Sequence, residues 1–512
     1  MNRKNTISKL MLLLVISAIM INTMMSTVNA AFVADTGNIT VNKIEKGVTL
    51  TFYKIMEENF SFRNQQPQDP PYLWSEEMVS WVKENYPEFI NTDNKNAVTE
   101  EFSKADAAKI AEFYDKLSVA IKKGTVTPEN ESAESQEETF TASEMLIGSY
   151  LILIENGARI YRPLTANVVH EWKEEEKAWK IASPVVDAKS TIPSISKTVT
   201  EGQEKDHMKI GDTVHYELNA TVPTYPDNAI AKTMVVSDIL SQSLTLNNDS
   251  IKAYGVNAGA EPVLLEDAYT RTTSRPANVE GDKTTTFSLN FKYEKIKAYT
   301  SVKVTYDAML NKNANIGSEG NENRAYLDYN NNPYIDGSWI TDEDKATVYT
   351  YGLKILKVDE ETEEPLSGAE FFLYKGEEEI KFVNENGTYR VAQSNEVSYA
   401  KMESNEKGEI LIQGLDAGEY ELYEEDAPDG YIKLQHTIKV TVEDEDFDGK
   451  VECDGEEQED GTLIITVKNG KGFTLPVTGG MGTLVFSTMG ILMMGAGFIL
   501  VLTFIRKKNE TK

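Results

Sequence analysis

Apolar and polar residues alternate over many short stretches of the chain, and a period of two predicts half-buried strands. The alternation runs through Val48, Leu50 and Phe52 after an Ile39-Thr40-Val41 opening, and through Val214, Tyr216, Leu218, Ala220 and Val222. It returns in Phe287, Leu289 and Phe291, in Val302, Val304 and Tyr306, and in the pairs Leu353/Ile355, Phe371/Leu373, Tyr420/Leu422 and Ile464/Thr466. Two stretches have helical spacing instead. Ser75 precedes Met78, Val79, Trp81 and Val82, while Ser103 and Asp106, spaced as a capping box, precede Ile110, Phe113, Tyr114 and Leu117, with Gly124 as the stop. An acidic loop from Glu129 to Glu138 is expected before strands at Tyr150-Leu151-Ile152 and Ala166–Val168. The pattern predicts a mainly β protein of tandem sandwiches, divided as 31–190 with added helices, 191–350, and 351–474.

The two ends break this pattern. Arg3, Lys4 and Lys9 precede the apolar run from Leu10 to Ile21, and Val28-Asn29-Ala30 supplies small residues, so 1–30 reads as a signal peptide cleaved after Ala30. From Leu484 to Ile505 there are 22 residues without a charge, about 33 Å as a helix, enough to cross a bilayer. Arg506, Lys507 and Lys508 follow at once and hold the extreme C-terminus in the cytoplasm.

Charge narrows the function. The 512 residues carry 51 Lys and Arg against 82 Asp and Glu, a net charge of −31, which disfavours nucleic acid and anionic lipid. One cysteine, Cys453, excludes a disulfide framework, and four histidines leave little for metal chemistry. Asp444, Asp446, Asp448 and Gly449 copy the start of a calcium-binding loop, but Gly455 stands where a bidentate Glu is required. No metal, cofactor or enzymatic activity is expected.

Leu475-Pro476-Val477-Thr478-Gly479, the apolar span and the basic stop together resemble the LPxTG cell-wall sorting signal of Gram-positive surface proteins, here 475–512. The resemblance implies that a sortase cysteine attacks the Thr478 carbonyl and breaks the bond to Gly479. Residues 1–30 and 479–512 each carry a net +3, so their removal from a chain of −31 leaves −37 on a 448-residue body.

Tyr420, Leu422, Glu424, Ala427, Pro428, Gly430 and Tyr431 match all seven positions of the E-box of sortase-assembled pilins. The run 354–359 with Pro365-Leu366-Ser367-Gly368-Ala369 resembles the first strands of immunoglobulin-like Cna B-type domains, and Val467-Lys468-Asn469 their last. In that family a lysine and an asparagine form an intramolecular isopeptide bond with help from a buried acid. The resemblance assigns Lys357 as nucleophile, Asn469 as acyl donor and Glu424 as catalyst. The chemistry suits these types: burial favours the neutral, nucleophilic amine and the protonated carboxyl, which can polarise the amide and pass protons while ammonia leaves.

The second domain resembles the pilin mid-domain that uses Lys, Asp and Asn. Its candidates are Lys197 in Ile195–Val199, Asp238 in Val235–Leu240, and Asn323 in 320–327, with Asn321 the competing acceptor. Major pilins also carry a nucleophilic lysine at the end of the first domain. Trp179 to Lys189 corresponds to that stretch without its Tyr-Pro and with one residue more, which gives Lys189 by position and Lys180 as runner-up.

The whole resembles a major pilin subunit, and the resemblance implies a structural role. Thr478 of one copy would join Lys189 of the next through a pilin sortase, and a housekeeping sortase would attach the fibre to peptidoglycan, with room for tip and base pilins. The alternative is a singly anchored adhesin whose first domain binds a host ligand.

Overall fold

The structure, a computed structural model, describes residues 36–61, 63–199, 202–453, 456–458, 460–472 and 482–509. Residues 1–30, read above as a signal peptide, the sorting pentapeptide Leu475, Pro476, Val477, Thr478 and Gly479, and Gly455 lie outside the described residues. The chain is mainly β, and Cα packing divides it into two compact units.

The first unit holds the described residues up to Pro193 together with 223–233 and 329–340. Its main sheet has Thr49–Ser61 and Gly148–Glu155 as neighbouring antiparallel strands, and period-two alternation sends their side chains into two different cores. Leu50, Phe52, Tyr150, Ile152 and Ile154 pack with Ile39, Val41 and Val168 on one face. Tyr53, Ile55, Leu151 and Leu153 pack on the other with Trp74, Trp81, Phe113 and Leu117. The helices Glu76–Asn85 and Ala107–Lys122 supply Trp81 and Phe113, and so cover that second face of the sheet.

Three local expectations are corrected. Ser75 is the N-cap by position, but its hydroxyl donates to the Ile55 and Lys54 carbonyls and caps no helical N–H. Asp106 alone caps the second long helix, accepting from the Lys109 N–H at 2.8 Å. Ser103 sits instead in a separate short helix, Glu100–Lys104, and donates to the Glu100 carbonyl. The acidic segment contains the strand Asn130–Glu134, which pairs with Thr49–Tyr53 of the main sheet.

The second unit holds 194–222, 234–328 and the described residues from Thr341 onward. Two sandwiches lie within it. One stacks a six-stranded sheet containing Ile195–Thr198, Thr213–Thr221 and Ser301–Leu310 on a six-stranded sheet containing Met234–Leu240, Asn321–Asn330 and Trp339–Tyr349. The other pairs a five-stranded sheet containing Tyr351–Asp359, Glu409–Leu415 and Thr462–Asn469 with one containing Glu370–Lys375, Gly418–Asp426 and Ile438–Val442. Inward positions alternate cleanly: Val302, Val304, Tyr306, Ala308 and Leu310 are all buried along one strand. The helix Gly482–Asn509 includes a 21-residue span, Ser487–Lys507, long and apolar enough to cross a membrane.

Candidate functional site: two buried lysine, carboxyl and asparagine clusters

In the sandwich that begins at residue 351, the first and last strands are parallel neighbours, with Lys357 opposite Val467 and Asp359 opposite Asn469. Alternation from Tyr351, Leu353 and Ile355 carries the Lys357 side chain into the core, where it is 0 % exposed. Gly408 holds its backbone in place. The Lys357 N–H donates to the Gly408 carbonyl at 2.7 Å, and at φ +71° a Cβ on Gly408 would stand 2.4 Å from the Lys357 carbonyl oxygen.

Lys357 Nζ donates to Asn469 Oδ1 and, at 3.4 Å, to the Val467 carbonyl. Glu424 reaches the pair from the facing sheet. Its Oε1 and Oε2 accept from Asn469 Nδ2 at 2.9 and 3.2 Å, and Oε1 is 3.5 Å from Lys357 Nζ. The Leu434 N–H donates to Glu424 Oε2 at 2.7 Å and fixes the carboxyl from behind. Burial pushes the Lys357 amine below its ordinary lysine value, against the opposing pull of Glu424. The carboxyl therefore touches the nitrogen that an attack on the Asn469 amide would expel.

E-box residues around this cluster have separate jobs. The Tyr420 hydroxyl donates to the Asp416 carboxyl at 2.5 Å, and the Tyr431 hydroxyl donates to Asp359 at 2.8 Å, two residues beyond Lys357. The Thr362 N–H, the Tyr431 hydroxyl and the Glu361 N–H hold the Asp359 carboxyl well below the usual carboxylate range. A depressed carboxyl contributes stability that is complete above its unfolded value of about 3.9 and is lost as pH falls through the folded value. Asp359→Asn is accordingly expected to lower the melting temperature at neutral pH. The gap from the parent should close as the pH of the calorimetry buffer is taken from about 4 downward; a gap independent of pH would contradict this account of Asp359.

The second cluster has a different geometry. Lys197 stands on Ile195–Thr198 in one sheet, while Asp238 and Asn323 stand on Met234–Leu240 and Asn321–Asn330 in the facing sheet. All three are 0 % exposed. Lys197 Nζ donates to Asp238 Oδ2. Burial pushes the Lys197 amine down and the Asp238 carboxyl up, which favours the neutral form of each. Asn323 reaches the other two through Tyr306, whose hydroxyl accepts from Lys197 Nζ at 2.6 Å and from Asn323 Nδ2 at 2.8 Å, and donates to Asp238 Oδ2 at 2.8 Å. Asn321 is also buried, but its side chain bonds Asn315 and the Val348 carbonyl and belongs to the turn at 315–321. Tyr306 was read in the sequence only as a strand residue. The available signal was an aromatic with a polar tip among Val302, Val304 and Ala308 on an inward face.

Lys189 is exposed in the link between Val185–Asp187 and Ser190–Thr191, and among the described residues its amine has no hydrogen bond or ion pair. Lys180 lies on the hairpin strand Ala178–Ile181 and pairs with Glu176 at 3.1 Å. Asp444, Asp446 and Asp448 do not gather around a cation site. Asp444 accepts from the Tyr351 hydroxyl and the Gly449 N–H, and no metal-binding group of acidic, His or Cys residues occurs among the described residues. Cys453 ends the strand Val451–Cys453 of a two-stranded ribbon.

Three family profiles match the chain: a prealbumin-like fold domain of the SpaA type over 352–457, the Cna-B-like domain of Gram-positive pilin backbone subunit 2 over 210–333, and the LPXTG cell wall anchor motif over 467–512. The trypsin-resistant surface T6 protein of Streptococcus pyogenes serotype M6 is 25 % identical over 445 residues, covering 82 % of this chain and 74 % of the relative. The solved T6 backbone pilin of the same serotype, described as a modular three-domain structure, superposes with a TM-score of 0.58 at 21 % identity over 85 % of this chain and 98 % of that one. The full-length major pilin SpaD of Corynebacterium diphtheriae gives a TM-score of 0.47 at 19 % identity, covering 88 % and 99 % of the two chains.

Proposed function

We propose that the chain is a sortase-assembled backbone pilin of a Gram-positive bacterium, joined by amide bonds at two levels, within its own sandwiches and between copies. It is a structural subunit of the cell wall surface, made as a membrane-anchored precursor, and not an enzyme. The observation that carries the proposal is the burial of a lysine, a carboxyl and an asparagine together in each of two sandwiches, in direct contact around Asn469 and bridged by the Tyr306 hydroxyl around Asn323.

Within the sandwiches, the neutral amine of Lys357 attacks Asn469 Cγ, ammonia leaves, and Glu424 moves the protons; Lys197 and Asn323 react likewise with Asp238. Each reaction occurs once per molecule. The Lys357 bond ties a first strand to a last strand that runs parallel to it, so tension applied along the chain loads a covalent bridge and leaves the intervening strands unloaded. Between copies, a pilin sortase transfers the Thr478 acyl group to Lys189 of the next subunit. A housekeeping sortase then passes the terminal subunit to peptidoglycan. This assigns 31–190 to the domain presenting the lysine, 191–350 and 351–474 to the two crosslinked domains, and 475–512 to the sorting signal.

Wall material digested with a muramidase, boiled in detergent and reduced is expected to run as a ladder of covalent multimers. A single anchored species would instead indicate a monomeric adhesin and end the polymer reading.

A further inference from the structure

The two clusters deliver their carboxyl to the asparagine by different routes. Glu424 touches the Asn469 amide directly, with both oxygens within 3.2 Å of Nδ2. Asp238 has no bond to Asn323; its Oδ2 is taken by Lys197 and by the Tyr306 hydroxyl, and its Oδ1 has no partner. Among the described residues, the Tyr306 hydroxyl is the one group within hydrogen-bond distance of the attacking nitrogen, the leaving nitrogen and the acid, and it is buried. The ring is held by Tyr216, stacked at 5.3 Å between centroids, and by Phe287 packed edge-on at 5.0 Å, so the hydroxyl keeps its place between the two sheets.

We propose that Tyr306 is a catalytic residue of the Lys197–Asn323 crosslink, its hydroxyl relaying the proton of Asp238 to the leaving nitrogen of Asn323. This rests on the reading that Lys197 and Asn323 become joined. The neutral Lys197 amine attacks Asn323 Cγ and the new C–N bond forms. Tyr306 gives its proton to Nδ2 and takes one from protonated Asp238, the Cγ–Nδ2 bond breaks and ammonia leaves. The Asp238 carboxylate then removes one proton from the former lysine nitrogen, so Tyr306 and Asp238 end as they began and the net loss is one ammonia. Burial supports the starting state, since it raises the Asp238 carboxyl and lowers the Lys197 amine. No counterpart is needed beside Glu424, which already touches the amide.

The test follows the two crosslinks separately by peptide mapping in the full-length secreted chain. In the parent both are expected complete on purification; a parent without a linked 197/323 peptide pair would sink the underlying reading of that domain and leave nothing for Tyr306 to catalyse. In Tyr306→Phe the Lys357–Asn469 link should be complete while the Lys197–Asn323 link accumulates at least about a hundredfold more slowly, the lower end of the range of about 10²–10⁴ that a positioned proton donor supplies. Site-specific 4-fluorophenylalanine at 306 keeps the size of tyrosine without a proton to give, and should be equally slow if the phenylalanine variant folds poorly. A packing role is separated by melting. Unlinked Tyr306→Phe protein should melt no lower than unlinked Asp238→Ala protein, which keeps the tyrosine. Linkage at the parent rate, or slow linkage with a much lower melting temperature, overturns the proposal.

Discussion

Glu424→Ala is expected to leave Lys357 and Asn469 unjoined, so that the intact mass of the body, measured against its own sequence mass, falls short by one ammonia fewer than the parent's does. The melting transition of the domain over 351–474 should fall with it. The absent bond closes a loop from 357 to 469, and a crosslink over a loop of that order limits the unfolded chain by about 4.7 kcal/mol. For a domain of this size that is roughly 15–20 °C in melting temperature. A second contribution has the same sign. Without Glu424, Asn469 Nδ2 loses its acceptor and Lys357 the carboxyl 3.5 Å away, both in a buried core. Calorimetry on the parent and the variant measures the fall, and mass spectrometry on the same samples assigns it. An unchanged deficit from the sequence mass with an unchanged transition would remove Glu424 from the chemistry.

Lys189→Ala is expected to abolish the covalent ladder while the subunit stays folded and anchored. The amine is exposed and, among the described residues, has no hydrogen bond or ion pair for the alanine to break, while the residue's backbone carbonyl, which accepts from the Arg162 N–H at 3.0 Å, is kept. The stability effect should therefore stay within about 0.5 kcal/mol, as for an ordinary surface substitution. Polymer yield, by contrast, should drop to none. If the ladder persists, the linking amine is another lysine, and Lys180, committed to Glu176 at the end of a hairpin, is the next to replace.

Much of the fold was legible because half-buried strands write their burial into the sequence with a period of two. Thr213–Thr221 and Ser301–Leu310 follow it residue by residue. Where that rule fails, the reading fails. Asn130–Glu134 carries almost no apolar side chain and joins the sheet through its backbone, so composition described it as a loop. Gly148–Glu155 is buried on both faces, and its unbroken apolar run says nothing of the helices that cover one of them. Cap residues were placed within a few positions, but which hydroxyl turns toward the helix depends on carbonyls such as that of Ile55, distant in sequence.

The candidate site was legible through spacing in one domain and less so in the other. The E-box singled out Glu424 together with strands that carry Lys357 and Asn469, and the structure brings the three side chains into contact. In the second domain Lys197, Asp238 and Asn323 are gathered around Tyr306, and only the facing of two sheets reveals that hydroxyl as the common partner. Asn321 and Asn323 are chemically identical candidates two residues apart on the same face. What distinguishes them is the turn at 315–321, which engages both ends of the Asn321 amide.

The most direct measurement is the intact mass of recombinant 31–474, followed by mapping of its linked peptides. The account predicts a mass lower than that of the sequence by two molecules of ammonia, with Lys197 joined to Asn323 and Lys357 joined to Asn469. A mass equal to the sequence mass, with all four residues recovered in unlinked peptides, would contradict it.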